Sequence, residues 1–291
     1  MAAANVTAIS SFIEGAPPGE LKDVIKDIKA LTPNDPSLLT KALPAFQKYN
    51  EGQLTSVKLP GGSQNLIISP NVGGGHVQVL ISEFNKLDDG RYFDVASKRS
   101  WSFDHMTQTA SDVQSYSSDS KHLDLIASLH KSLTRHATEH YPSSTLAILP
   151  PSSSSADDTI TLLLSASKYS PSNFWNGRFR CTYHFSPTTS TLRGTVKVDV
   201  HYYEDGNVRL TTTKSVSERT VSGGAEAVVR EIAKQERAYQ EELNRGFGEL
   251  GEQSFKGLRR QLPVTRQKVE WEKVGSYRAG REIGGVGGGR R

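Results

Sequence analysis

The chain has 291 residues, with 35 Lys and Arg against 31 Asp and Glu and a single cysteine. That length allows one large domain or two ordinary ones, while one cysteine excludes a disulfide framework or a cysteine-rich zinc module and fits a reducing compartment. The apolar runs are too short to cross a membrane as a helix, and Met1 to Ser11 lacks the basic and apolar regions of a signal peptide. The formal charge of +4 is unevenly spread. From Lys256 to Arg291 ten Lys and Arg face three Glu, a net +7, whereas the preceding 255 residues hold 25 against 28, a net −3. A mildly acidic body with a strongly basic end points to an anionic partner, a partnerless solvated tail being the competing reading.

After the breaker Pro17-Pro18-Gly19, the residues Leu21, Val24, Ile25, Ile28 and Leu31 recur at helical spacing and predict an amphipathic helix that Pro33 and Pro36 end. Leu38, Leu39, Ala42, Leu43 and Phe46 predict a second one from about Ser37 to Tyr49, kinked at Pro44. Such short helices must bury their stripes against each other or against a partner chain. From about Leu54 to His105 the runs Leu66–Ile68, Val77–Ile81 and Arg91–Val95, separated by glycine-rich turns, predict a small β-rich globule. Leu123, Ile126, Leu129, Leu133 and Ala137 restore the helical period up to Pro142. The Ser/Pro-rich run Ser143 to Ser155 reads as an exposed loop or insertion.

Four strands are predicted next, Thr159–Ser167, Arg178–Ser186, Gly194–Tyr203 and Val208–Lys214. In the third, Val196, Val198, Val200 and Tyr202 alternate with Lys197, Asp199, His201 and Tyr203, and Asp205-Gly206 marks a hairpin to the fourth. Connections this tight build an antiparallel meander and leave no room for crossover helices. After Ser222-Gly223-Gly224, a long helix carries Ala225, Val228, Val229, Ile232, Tyr239, Leu243, Phe247 and Leu250 on one face. Continued to Leu258 it would be roughly 50 Å long at about 1.5 Å per residue. A sheet followed by one covering helix is an α+β layer arrangement.

Catalytic chemistry finds no support. No GxxxxGK[ST], GxSxG, HExxH or paired CxxC occurs, and Gly73-Gly74-Gly75-His76 lacks dinucleotide-loop spacing. His136 and His140 have metal-compatible i, i+4 spacing but no visible third ligand, so a solvated helix face is expected, with no metal and no cofactor. Cys181 reads as a small core residue. The informative segment is Phe255 to Tyr277, where Lys256, Arg259, Arg260, Arg266 and Lys268 interleave with Leu258, Leu262, Val264, Val269, Trp271 and Val274. A basic amphipathic element with an aromatic anchor is a helix-in-groove ligand or a membrane-surface element. Two competing readings are a tryptophan that caps the chain's own core and a nucleic-acid clamp, the latter disfavoured because no base-stacking surface accompanies it.

Four collinear motifs carry a family resemblance: FIEGAPPGEL (Phe12 to Leu21), SNFWNGRFR (Ser172 to Arg180), VHYYEDGNVRL (Val200 to Leu210) and LRRQLPVTR (Leu258 to Arg266), the last followed by Lys268 and Trp271. In these the chain resembles the α subunits of F-actin capping protein. The resemblance implies an α+β fold. Its parts are an N-terminal helical stalk (1–50), a β-rich globule (51–118), a helix plus a five-stranded antiparallel sheet (119–221), a long covering helix (222–258) and a basic C-terminal tentacle (259–291). It also implies an obligate heterodimer with a β subunit whose sheet joins this one, and a non-enzymatic block of the filament barbed end in the cytoplasmic, cortical actin cytoskeleton. The implied actin-binding residues are Lys256, Arg259, Arg260, Leu262, Arg266, Lys268 and Trp271, with phosphoinositides on Lys256, Arg260 and Arg266 and no nucleic acid. A basic membrane-associated or scaffold protein without actin capping is the alternative. Gly275 and Gly280 depart from the family pattern, and the end GGVGGGRR (Gly284 to Arg291) should be flexible.

Overall fold

The computed structural model describes residues 2–33, 35, 37–60, 77–141, 143–151, 158–204 and 207–249. The chain divides into two compact units, Met1–Tyr239 and Gln240–Arg291. Of the second, only the last ten residues of one helix are described. The strand expected at Leu66–Ile68 and the turn at Gly73–Gly75 lie outside the described residues.

Four helices open the first unit: α1 (Ala2–Glu14), α2 (Leu21–Leu31), α3 (Ser37–Lys41) and α4 (Leu43–Gly52). The stripe of α2 spans the range its spacing predicts, and it buries Leu21, Ile25 and Ile28 against Ile9, Ile13, Leu38, Leu39, Phe46 and Tyr49. The helix expected from Ser37 to Tyr49 is divided into α3 and α4 rather than kinked. Pro44 has no N–H to give to a preceding turn, but it fits the first turn of a new helix, where it sits. Between α1 and α2, Gly19 has φ +83 and a Cβ there would lie 2.9 Å from the Tyr169 ring, so a glycine is required twice over.

The globule is built from β1 (Thr55–Lys58) paired with β2 (Gln78–Ile81), and from the meander β3 (Tyr92–Asp94), β4 (Arg99–Asp104) and β5 (Thr109–Ser115). Trp101 and Tyr92, both fully buried, fill its core with Val57, Leu59, Val79 and Ile81. Asn85 is buried and fully used: its amide donates to the carbonyls of Leu80 and Phe93, and its oxygen accepts from Ser82. This ties β2 to β3 without leaving a polar orphan.

Helix α5 (Leu123–His140) buries Ile126, Leu129, Leu133 and Ala137. The loop expected over Ser143 to Ser155 is corrected in part, because Ser144–Leu149 forms strand β6. Leu146 and Ile148 alternate with Thr145 and Ala147 inside the serine-rich composition, and Ala147 and Leu149 join Leu54, Leu80, Phe93 and Leu163 in a core shared with the globule. The sheet runs in the order β10-β9-β8-β7-β6, antiparallel throughout, with β7 (Ile160–Ser170), β8 (Trp175–Ser186), β9 (Thr191–Tyr202) and β10 (Val208–Thr220). The fold is therefore α+β with a five-stranded antiparallel meander. At Gly194 a Cβ would lie 2.4 Å from the Tyr183 ring and 2.7 Å from the Thr182 carbonyl, so β9 closes on β8 only around a residue without a side chain.

His105, His130 and His184 all lie below the ordinary histidine value of 6.5, each chiefly because burial disfavours the charged ring. A depressed base stays neutral in the folded chain while the unfolded chain takes up a proton. Stability is then unaffected by these rings above pH 6.5 and falls as pH drops through 6.5 towards their folded values. The urea midpoint is expected to decline between pH 7.5 and 5.5, before carboxylates titrate; a flat midpoint over that window would refute this.

Candidate functional site

Lys256, Arg259, Arg260, Leu262, Arg266, Lys268 and Trp271 lie outside the described residues. The element that leads to them is α6 (Gly224–Glu249), whose Val228, Val229, Ile232 and Tyr239 are buried as its apolar spacing predicts. Glu236 lies on the same stripe and is only 2 % exposed. Its carboxylate accepts from the Tyr141 hydroxyl at 2.8 Å, faces His136 Nε2 at 2.9 Å, and is 3.5 Å from the Cys181 thiol, which donates to it. One carboxylate thus joins α6 to the C-terminal end of α5 and to the centre of β8. Burial, then the neighbouring Glu236, pushes the Cys181 thiol well up, so it serves as a donor and not as a nucleophile. The Tyr183 hydroxyl is raised as well, first by burial and then by the neighbouring Cys181 and Glu236. Tyr239 adds a hydroxyl contact to Thr212 Oγ1 at 3.0 Å on β10.

The expectation of a solvated face for His136 is corrected here. His136 is 9 % exposed, and its ring is packed against His140 and Tyr141 and paired with Glu236. The spacing left no place for a buried carboxylate on another helix. A visible signal existed: Glu236 sits four residues after Ile232 and three before Tyr239, a charge inside an apolar stripe.

Among the described residues the sheet ends on a long strand with one neighbour. Among the described residues β10 pairs with β9 alone over Val208–Thr220, interrupted by an irregularity between Val216 and Arg219. By contrast β6, at the other end, has Thr145 bonded to Ser56 and Gln78 of the globule. The face that β9 presents through Asp199 and His201 is more buried than the alternation suggests, because the N-terminal helices cover it. His201 faces Glu20 at 2.7 Å, Asn176 donates to the same carboxylate at 2.8 Å, and Arg209 grips Asp199 at 2.9 and 2.6 Å and also donates to the Gly15 carbonyl. Arg178 donates to the Gln53 carbonyl and to Tyr169, and Arg180 to the Gly52 carbonyl. Burial, reinforced by Arg178, lowers Arg180 to about 10.

The model of the family described as F-actin capping protein alpha subunit matches residues 9–282. The chain is 52% identical over 277 residues to an F-actin-capping protein subunit alpha of Neurospora crassa, covering 95% of this chain and 96% of that one. It is 54% identical over 286 residues to the protein of the same name from Aspergillus oryzae, covering 97% and 98%. The Caenorhabditis elegans protein of that name is 32% identical over 292 residues, covering 97% and 98%. Among solved structures, the homodimeric actin capping protein alpha subunit from Plasmodium berghei has a similar fold, with TM-score 0.62 and 19% identity over 86% of this chain and 93% of that one.

Proposed function

The chain belongs to the F-actin capping protein alpha subunit family, and we propose that it is a non-enzymatic subunit that pairs with a capping protein β subunit and blocks gain and loss of actin at filament barbed ends. The observation that carries the reading is the reach of the family match to residue 282, which takes in the segment where the net +7 resides. Lys256, Arg259, Arg260, Arg266 and Lys268 steer the encounter with an acidic filament end, and Leu262 and Trp271 slow dissociation by burying apolar surface. The free edge of β10 supports pairing, since an antiparallel edge strand completes its ladder by adding a partner strand. Lys256, Arg260 and Arg266 also suit anionic phosphoinositide headgroups, which would then compete with actin. Cortical actin structures in the cytoplasm are the expected location.

The test is co-expression with a β subunit, followed by elongation from barbed ends with the full chain and with a chain lacking residues 256–291. Arrest by the full dimer, and its loss on truncation, is expected. Liposome binding with no effect on elongation would replace this reading with a membrane-associated or scaffold role. The homodimeric Plasmodium berghei neighbour favours a second assembly, self-pairing, which light scattering on the chain expressed alone distinguishes.

A further inference from the structure

The apolar stripe of α6 is interrupted at one buried position. Val228, Val229 and Ile232 are aliphatic, Tyr239 follows, and between them stands Glu236, buried like the rest. A leucine or methionine would complete the stripe, and well-packed apolar side chains in place of a buried polar cluster are often neutral or stabilising. Stability therefore does not account for a carboxylate here. What the carboxylate adds is direction. Aliphatic contacts are non-directional, and a stripe that repeats every three to four residues still meets the same surface after sliding by one turn, about 5.4 Å. Glu236 removes that freedom. Its Oε2 accepts from the Tyr141 hydroxyl and faces His136 Nε2, and its Oε1 accepts from the Cys181 thiol. These partners are themselves held. The Tyr141 ring is stacked on Phe179 of β8 with centroids 4.9 Å apart, His136 lies within α5 and Cys181 within β8. A slide by one turn would bring Ile232, which has no acceptor, or Gln240, which has one side-chain oxygen in place of two, to the same place. The Tyr239 bond to Thr212 on β10 marks the same register, but it is neutral and part-buried, and so the weaker of the two marks.

We propose that Glu236 is a positioning residue for barbed-end capping. It fixes the axial register of α6 on α5 and β8, and that register is handed on along the helix, which continues to Glu249, to the basic segment from Lys256. A buried polar residue that sets register at some cost in stability is known from helix pairs. This rests on the capping function proposed above and adds the residue that holds its basic segment in register.

The test uses the full chain co-expressed with a β subunit. The triple variant Glu236→Met, His136→Leu, Tyr141→Phe replaces the polar cluster with apolar side chains and leaves Cys181 as a small core residue. It is expected to keep the dimer, to keep a urea midpoint no lower than the parent's, and to cap barbed ends about tenfold more weakly in elongation assays. Register is read without actin, by double electron–electron resonance between nitroxides introduced at Lys131→Cys on α5 and Lys234→Cys on α6, both exposed positions. The parent should give one distance, and the triple variant a second population that reflects a slide of about one turn, about 5.4 Å. Parent-like capping, or a single parent-like distance, would overturn the proposal. Should the triple variant yield no folded dimer, Glu236→Gln, which keeps the shape and one oxygen, decides on the same two readouts. About threefold weaker capping with a broadened distance is then expected, and a parent value for either would overturn the proposal. A parent dimer that fails to cap would instead bring down the capping function itself, and the distance measurement would still decide the register.

Discussion

Reversing the charge at Lys256, Arg260 and Arg266 together is expected to weaken barbed-end capping by at least about 100-fold while the chain still folds and pairs. Each reversal replaces an attraction to an acidic surface with a repulsion. A loss of roughly 1 kcal/mol per position is at the modest end for such contacts, and about 3 kcal/mol corresponds to about two decades in affinity. Most of the loss should appear as slower association that no longer depends steeply on salt, because these charges steer the encounter. The substitutions follow α6 in the chain and exchange one charged side chain for another, so circular dichroism and the urea midpoint of the dimer are expected not to move. Elongation assays across a salt series decide the matter. Capping by the triple variant at wild-type concentration would remove the proposed role of these cations.

Glu236→Ala is expected to destabilise the fold by about 3 kcal/mol, and Glu236→Gln by about 1 kcal/mol. Alanine opens a void beside His136, Tyr141 and Cys181 and removes the buried carboxylate that all three face. Glutamine preserves the shape and one carbonyl oxygen, so part of the donor set is still served. Urea unfolding of the dimer measures both. Hydrogen exchange should accelerate first in α6, which loses its polar anchor to α5 and β8 while Val228, Val229 and Ile232 remain buried. Equal midpoints for the alanine variant and the parent would show that the carboxylate contributes nothing to holding the helix.

Much of the architecture was legible because its signals are local. The stripe Leu21 to Leu31, the period of Leu123 to Ala137 and the alternation of Val196 to Val200 each repeat with the geometry of the element they form. The short strands β1, β4 and β5 were not legible, because four to seven residues hold too few repeats to set a period. Strand β6 was hidden by the serines around it, and it exists because Ala147 and Leu149 have Leu54, Phe93 and Leu163 to pack against.

For the candidate site the division follows the same logic. The basic segment Lys256 to Trp271 is a matter of composition and motif, carried entirely by neighbours in the chain, and the uneven charge and the family resemblance follow from it. The Glu236 anchor and the contact of Arg178 with Gln53 could not be read that way. Glu236 meets His136 across one hundred residues, and Arg178 meets Gln53 across 125. Whether a charge is solvated or matched depends on what folding brings beside it, and for these residues only the packed sheet and helices decide that.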